Sequence, residues 1–356
     1  MGIEITQRLW GHHEDTAIYL FKLEHASGAY VELSNYGATL VSVVVPDQSG
    51  QLAHVVLGFD HLQAYLDDQC YLGASVGRFA NRIGGATFVL DNKRFFLEAN
   101  ESGNSNHSGK SGYHAKAFGY RIDGNNLMFT LFSPDGEGGF PGNLVLTITY
   151  RWTAGNRLEM RYGAFCDQDT LANFTNHAYF NLSGKNEVML DHRLTLYASR
   201  VLETNAEYIP TGKITAAGNS SFINGCIADQ IRANGDAGFN HYYILEPVPD
   251  QKTGALQLAA VLDHETSGRR LNVYTSYPGL VLYTGDYLQS SHPGKLLAPY
   301  QAYDGLCLEC QLYPDSPNHH FVPTAVLMAG ECYDQKIVYE FTLLARQQHD
   351  VTPENF

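Results

Sequence analysis

Period-two alternation of apolar with polar or small residues returns along most of this chain, and it limits the fold more than any other feature. It is present in Tyr30–Leu33, Leu40–Val45, Leu127–Phe132, Leu144–Tyr150 and Arg193–Tyr197. Successive side chains of a strand point to opposite faces, so each segment reads as a strand. Between them lie turn clusters, Pro46–Gly50, Asp91–Lys93, Asp123–Asn126 and Ser133–Gly139, rich in the residues that tight reversals need. Strand and turn alternate at about ten residues, which predicts an all-β fold of antiparallel sheets packed face to face. The 23 Tyr, 18 Phe and 34 Gly, against two Trp and five Met, agree with strands joined by turns.

Helical segments are few. The best is Asp60–Leu66, about two turns, with Asp60 expected as its N-cap. A length of 356 residues allows two domains, but no linker, composition step or repeat divides the chain, and all-β units run long. We therefore expect one domain over 1–356, with a polar tail at 347–356 that frays. The net charge of −14 opposes nucleic acid or an anionic membrane surface as partner. The N-terminal residues lack the pattern of an export signal, and no run of about 18 apolar residues is present to cross a bilayer. Six scattered cysteines suit reduced thiols, so a cytoplasmic location is expected.

Several short segments carry residues capable of chemistry. Thr175–Leu182 is dense in β-prone residues and holds His177 between Asn176 and Asn181; an imidazole there is either a satisfied strand histidine or a proton carrier near neutrality. Gly73-Ala74-Ser75-Val76-Gly77 spells the nucleophile elbow of serine hydrolases, but Arg78–Gly85 has no helical period to follow it, so Ser75 reads as strand packing. In that same stretch Asn81 and Arg82 offer an amide and a guanidinium fork suited to hydroxyls, or Arg82 merely pairs with a surface carboxylate. His107 lies in the polar, glycine-rich loop Asn104–Tyr113. Glu309 sits inside the apolar strand-like segment Asp304–Asp315; facing a pocket it would be a base with a raised pKa, and on a wet face only an edge charge. Cys307-Leu308-Glu309-Cys310 matches C-x-x-C without a second pair, and the doublets His12-His13 and His319-His320 offer one ligand each at most, so no metal is expected.

Taken in order, seven segments resemble the aldose 1-epimerases over nearly the whole chain: Asn35–Leu40, Gly77–Ile83, Asn106–Tyr113, Asn176–Leu182, Ile209–Gly212, Tyr283–Asp286 and Glu309–Asn318. The resemblance implies a large antiparallel β-sandwich of the galactose mutarotase type, a supersandwich with a few short helices and the sugar in a cleft over one sheet. It implies interconversion of α and β anomers of a free hexose, with Glu309 as general base toward the C1 hydroxyl and His177 as general acid toward the ring oxygen. For those roles a carboxylate ionised near or below neutrality would stand beside a protonated histidine. Asn81, Arg82, His107 and Tyr179 would contact the other hydroxyls. No cofactor is required, and the protein would be a monomer or homodimer.

The chain departs from the family's pattern at three positions. Asn240 stands where a sugar-binding Asp is common, Ser108 where the His107 loop usually has glycine, and Val281 where some members carry a polar side chain. An amide donates as well as accepts, so binding through Asn240 persists while hydroxyl preference is open. Two other readings follow: a non-catalytic sugar-binding relative, motivated by Asn240 and Ser108, and a glycoside-processing enzyme that pairs Glu309 with another carboxylate such as Asp286 or Asp304.

Overall fold

The structure, a computed structural model, describes residues 2–246, 255–295, 298–320 and 322–345. The tail expected to fray, 347–356, lies outside the described residues. The five alternating segments are all strands, at Tyr30–Ser34, Thr39–Pro46, Asn126–Ser133, Leu144–Thr153 and Arg193–Leu196. They belong to two large antiparallel sheets, of five and nine strands, and a third large sheet has six. The five-stranded sheet is a meander through the first 54 residues, in chain order. The nine-stranded sheet runs through the middle of the chain and is closed by the long strand Cys332–Leu343, which pairs with Arg157–Cys166 on one side and Arg269–Thr275 on the other.

The third sheet positions the chemistry. Its order is Tyr179–Phe180, Leu306–Gln311, Gly279–Tyr283, Asn240–Ile244, Arg200–Thr204 and Pro210–Ala216. All six residues of Leu306–Gln311 are buried, so the two faces of this strand are both covered. The pleat sorts them. Leu306, Leu308 and Cys310 enter one hydrophobic cluster together with Leu280, Leu282 and Tyr243 of the neighbouring strands and Ile148, Tyr150, Tyr162 and Tyr339 of the nine-stranded sheet. Cys307 and Glu309 take the opposite face. On it, register aligns Tyr179, Cys307, Tyr283 and Asn240 in one row, and Glu309, Val281 and Tyr242 in the next.

Three local expectations are corrected. The first helix is Leu62–Leu66 with His61 at its N-cap, and Asp60 does not cap it; the Asp60 carboxylate instead accepts from Lys295 Nζ at 3.2 Å. A second helix, Ile227–Ala233, has no alternation or side-chain cap to announce it; it buries Ile227 and Ile231 and carries Asp229 in its first turn and Arg232 in its last, as the helix dipole favours. The segment around His177 is not one strand. Thr175–Asn176 pairs with Ser75–Val76, whereas Tyr179–Phe180 pairs with Leu306–Cys307, and His177 occupies the step between them. Among the described residues no helix is long and apolar enough to cross a membrane.

Because Leu308 fills the core directly behind the pocket, Leu308→Ala should lower stability by about 2–5 kcal/mol. In urea unfolding the midpoint should fall while the slope stays that of the parent chain.

Candidate functional site

His177 is held at its step by its own backbone. Its N–H donates to the Ala74 carbonyl at 2.9 Å, and its carbonyl accepts from Gly73 N–H at 3.0 Å. Gly73 has φ +66°, and a Cβ there would fall 2.1 Å from the Leu40 carbonyl oxygen, so only glycine fits. The side chain then enters a cavity of about 400 Å³, within the range of small-molecule sites. His177 and Glu309 face each other in it, with Nε2 3.6 Å from Oε1. They are 4% and 2% exposed, and Glu309 Oε2 is buried with no hydrogen-bond partner.

Burial sets the protonation of this pair. Desolvation raises the Glu309 carboxyl to about 8, against a smaller opposing effect of Arg82. Desolvation, with a smaller effect of His114, lowers His177 to about 4 against an opposing hydrogen bond to its own backbone. Both shifts run against the expected ionised carboxylate beside an imidazolium: burial favours the uncharged form of each group, a protonated Glu309 facing a neutral His177.

Around the pair, three loops supply the walls. His107, at φ +51°, accepts the Asn81 N–H on Nδ1 at 3.2 Å, which leaves the proton of its neutral ring on Nε2. Burial, followed by the charges of His177 and Arg82, holds this imidazole well below its usual range. Tyr71 packs its ring on His107 and His177, with centroids 4.7 and 5.7 Å apart. Arg82 commits Nε and Nη2 to the Glu101 carboxylate and lies over the Tyr208 ring at 5.1 Å. Asn104 Nδ2 donates to Glu207 at 3.0 Å, tying two rim loops together.

A family model described as aldose 1-epimerase matches residues 19–340. The chain belongs to the aldose 1-epimerase family. It is 37% identical to a galactose mutarotase of Bos taurus over 320 residues, which is 88% of this chain and 91% of that protein. It is 33% identical to an aldose 1-epimerase of Escherichia coli over 334 residues, 90% and 94% of the two chains. Among solved structures, an aldose epimerase homologue from C. elegans superposes with a TM-score of 0.84 at 28% identity, covering 92% of this chain and 99% of its own. A galactose 1-epimerase from Lactobacillus acidophilus gives 0.83 at 26% identity, covering 96% and 100%.

In this aldose 1-epimerase family member, all seven residues singled out from the sequence, Asn81, Arg82, His107, His177, Tyr179, Asn240 and Glu309, line the one pocket. Tyr179 differs in use from the expectation: its hydroxyl donates to the Cys70 carbonyl at 3.1 Å, so the ring serves as wall and only oxygen lone pairs face a ligand. Ser108 has a left-handed backbone, φ +66°, of the kind glycine adopts most readily, and its hydroxyl accepts from Phe79 N–H at 2.8 Å. Val281 is buried opposite Glu309 and packs with Leu202 and Tyr242.

The other motifs take structural places. Ser75 is 1% exposed, sharing a hydrogen bond with the Tyr150 hydroxyl at 2.9 Å. Cys307 and Cys310, three apart on a strand, fall on opposite faces. Neither Asp286 nor Asp304 lines the pocket, and the two further carboxylates that do, Glu101 and Glu207, are taken by Arg82 and Asn104, so neither acid named for the glycosidase reading stands beside Glu309. Among the described residues, two side-chain groups have ligand atoms within 4.8 Å of one another, His107–His177–Glu309 and Asp191–His192–His264. In the second, Asp191 already joins both rings, at 3.0 and 3.1 Å, and His192 Nε2 accepts from Leu182 N–H at 2.8 Å, so its Nδ1 carries a proton rather than a lone pair for a metal. Gln69, Tyr71, Glu101, Glu207, Tyr208 and Tyr287 also line the pocket and were missed from sequence, whereas Asn106 and Tyr283 lay in segments already quoted.

If the Tyr179 hydroxyl is spent on Cys70, Tyr179→Phe should change KM for a sugar by less than about twofold while lowering stability by about 1 kcal/mol for the orphaned carbonyl. Steady-state kinetics beside thermal melting reads both.

Proposed function

We propose that this chain interconverts the α and β anomers of free hexoses such as galactose and glucose by opening and reclosing the pyranose ring. The observation that carries this reading is His177 Nε2 facing Glu309 Oε1 at 3.6 Å on the floor of a polar pocket, with the second carboxyl oxygen buried and unpartnered. In ring opening, Glu309 takes the C1 hydroxyl proton and the O1 electron pair forms the C1=O bond. The C1–O5 pair leaves to O5, where His177 Nε2 delivers a proton. Rotation about C1–C2 turns the other face of the aldehyde to O5, and the reverse transfers close the ring. Protons and electrons balance between sugar and dyad, so no cofactor is called for.

After opening, the dyad is a protonated Glu309 and a neutral His177, the same form that burial favours. The resting site therefore matches the open-chain aldehyde, and a cyclic sugar draws the shared proton to His177 before its ring opens. His107 Nε2–H and the Asn81 amide are placed to hold ring hydroxyls, and Asn240 can donate or accept. Relatives named galactose mutarotase support a hexose, while Glu101 and Glu207 at the rim and the charge of −14 disfavour phosphorylated sugars. Six free cysteines suit a reducing compartment, and we assign the protein to the cytoplasm as a monomer or homodimer.

Polarimetry of freshly dissolved α-glucose and α-galactose tests the proposal; a rate equal to the uncatalysed one for every common aldose overturns it. Glu309→Gln and His177→Asn should each lower kcat by about 10²- to 10⁴-fold. Calorimetric sugar binding with no turnover in the parent chain would favour the non-catalytic alternative. The pH profile follows from the shared proton. Below about 4 His177 gains a second proton while Glu309 keeps its own, so no base remains. Above about 8 Glu309 loses its proton beside a neutral His177, so no acid remains. Hence kcat/KM should be bell-shaped with limbs in those two regions, read from initial polarimetric rates across pH.

A further inference from the structure

The ring of His177 has two nitrogens, and the reading above, on which this inference rests, uses only Nε2. Nδ1 faces a sulfur: Cys307 Sγ lies 3.5 Å from it. Both side chains are buried, and Cys307 is 0% exposed in an apolar cluster with Tyr36, Leu57 and Tyr179. Cys307 reaches this place because it sits two residues before Glu309, on the same face of the same strand, and directly opposite Tyr179 in register. One strand thus presents a carboxyl to Nε2 and a thiol to Nδ1.

We infer that Cys307 is a positioning residue that accepts a hydrogen bond from His177 Nδ1–H and thereby keeps Nε2 as the proton-transfer atom. A histidine that gives its Nε2 proton away and later takes it back must, when neutral, carry its remaining proton on Nδ1. In a dry place that N–H needs an acceptor to hold it, and beside the ring's own backbone the side chain within reach of Nδ1 is Cys307. A carboxylate would do so strongly and would raise the basicity of the ring; a thiol sulfur is a weak, uncharged acceptor, which orients the ring and leaves its basicity low. Burial and the nearby Glu309 hold the Cys307 thiol far above its usual range, so it stays uncharged across the working pH. A weakly basic His177 is what lets the shared proton return to Glu309 at the aldehyde stage.

The test is nitrogen-15 NMR of the imidazoles in the full-length protein near pH 6, with the His177 signals assigned by their loss in His177→Asn. The expected result is a neutral His177 ring protonated on Nδ1. In Cys307→Ala the Nε2–H tautomer should gain population, and kcat should fall by about two- to tenfold, as for one weak hydrogen bond, with KM little changed. Cys307→Ser, whose hydroxyl also accepts, should restore the Nδ1–H tautomer; it covers the case in which the alanine variant does not fold. A parent chain whose neutral His177 carries its proton on Nε2 overturns the inference, as does an alanine variant with unaltered tautomer and kcat. A parent spectrum with Nδ1 protonated but no polarimetric activity would support the positioning and sink the reaction, so the two readings fail separately.

Discussion

A carboxyl group in the interior of a sheet is a demand that the surrounding structure must meet. Glu309 sits on a strand whose six residues are all buried, and its side chain leaves that strand on the face away from the main core. Ionised and unanswered there, it would cost several kcal/mol, so it holds a proton instead. Among the described residues, the one titratable partner within ion-pair distance is His177, whose own burial disfavours its charged form. What makes such a placement tolerable is the opposite face of the same strand, where Leu306, Leu308 and Cys310 join the largest hydrophobic cluster and hold the strand rigidly in register. The apolar half of the pleat stabilises what the polar half does not.

His177 reaches that carboxyl through an irregularity. A continuous strand from Thr175 to Phe180 would give it a ladder partner and a face shared with Thr175 and Tyr179. Instead the chain changes pairing partner at this residue, and Gly73 and Ala74 catch its backbone from both sides. The ring is then boxed by Tyr71, Tyr179 and His107. Rings in contact from several directions leave the imidazole little rotational freedom, and proton transfer over fixed distances needs that.

The alternation of the strands was legible in the sequence because a sheet with an inner and an outer face writes that pattern directly. Leu144–Thr153, buried at every second residue, is the clearest instance. Thr39–Pro46 shows the limit: it is a strand, yet seven of its eight residues are buried, and no pattern says what covers its second face. The same limit left Glu309 between pocket and surface until a resemblance ordered the segments. Asp60 failed as a cap because its carboxylate is held by a lysine 235 positions away, a contact no local reading contains. Glu101, Tyr208 and Tyr287 were missed because each lies in a loop with no motif of its own, brought to the pocket only by sheet topology. The protonation of the dyad was inferred backwards for a related reason: residue type gives a reference pKa, and only the fold gives the desolvation.

The pocket divides by origin. Its floor is a sheet face shared with the core, while its rim comes from separate loops around residues 69–71, 101–107 and 206–208 and from Tyr287. A change of length in Leu306–Gln311 would trade pocket for core side chains in one step, because the pleat inverts with every residue inserted. The loops carry no such penalty. Diversification in this lineage, whether by natural drift or in a laboratory library, therefore has two unequal routes: the rim can be lengthened, shortened or recharged to recruit pentoses, deoxy sugars or longer saccharides, while the strand beneath it stays closed to insertion.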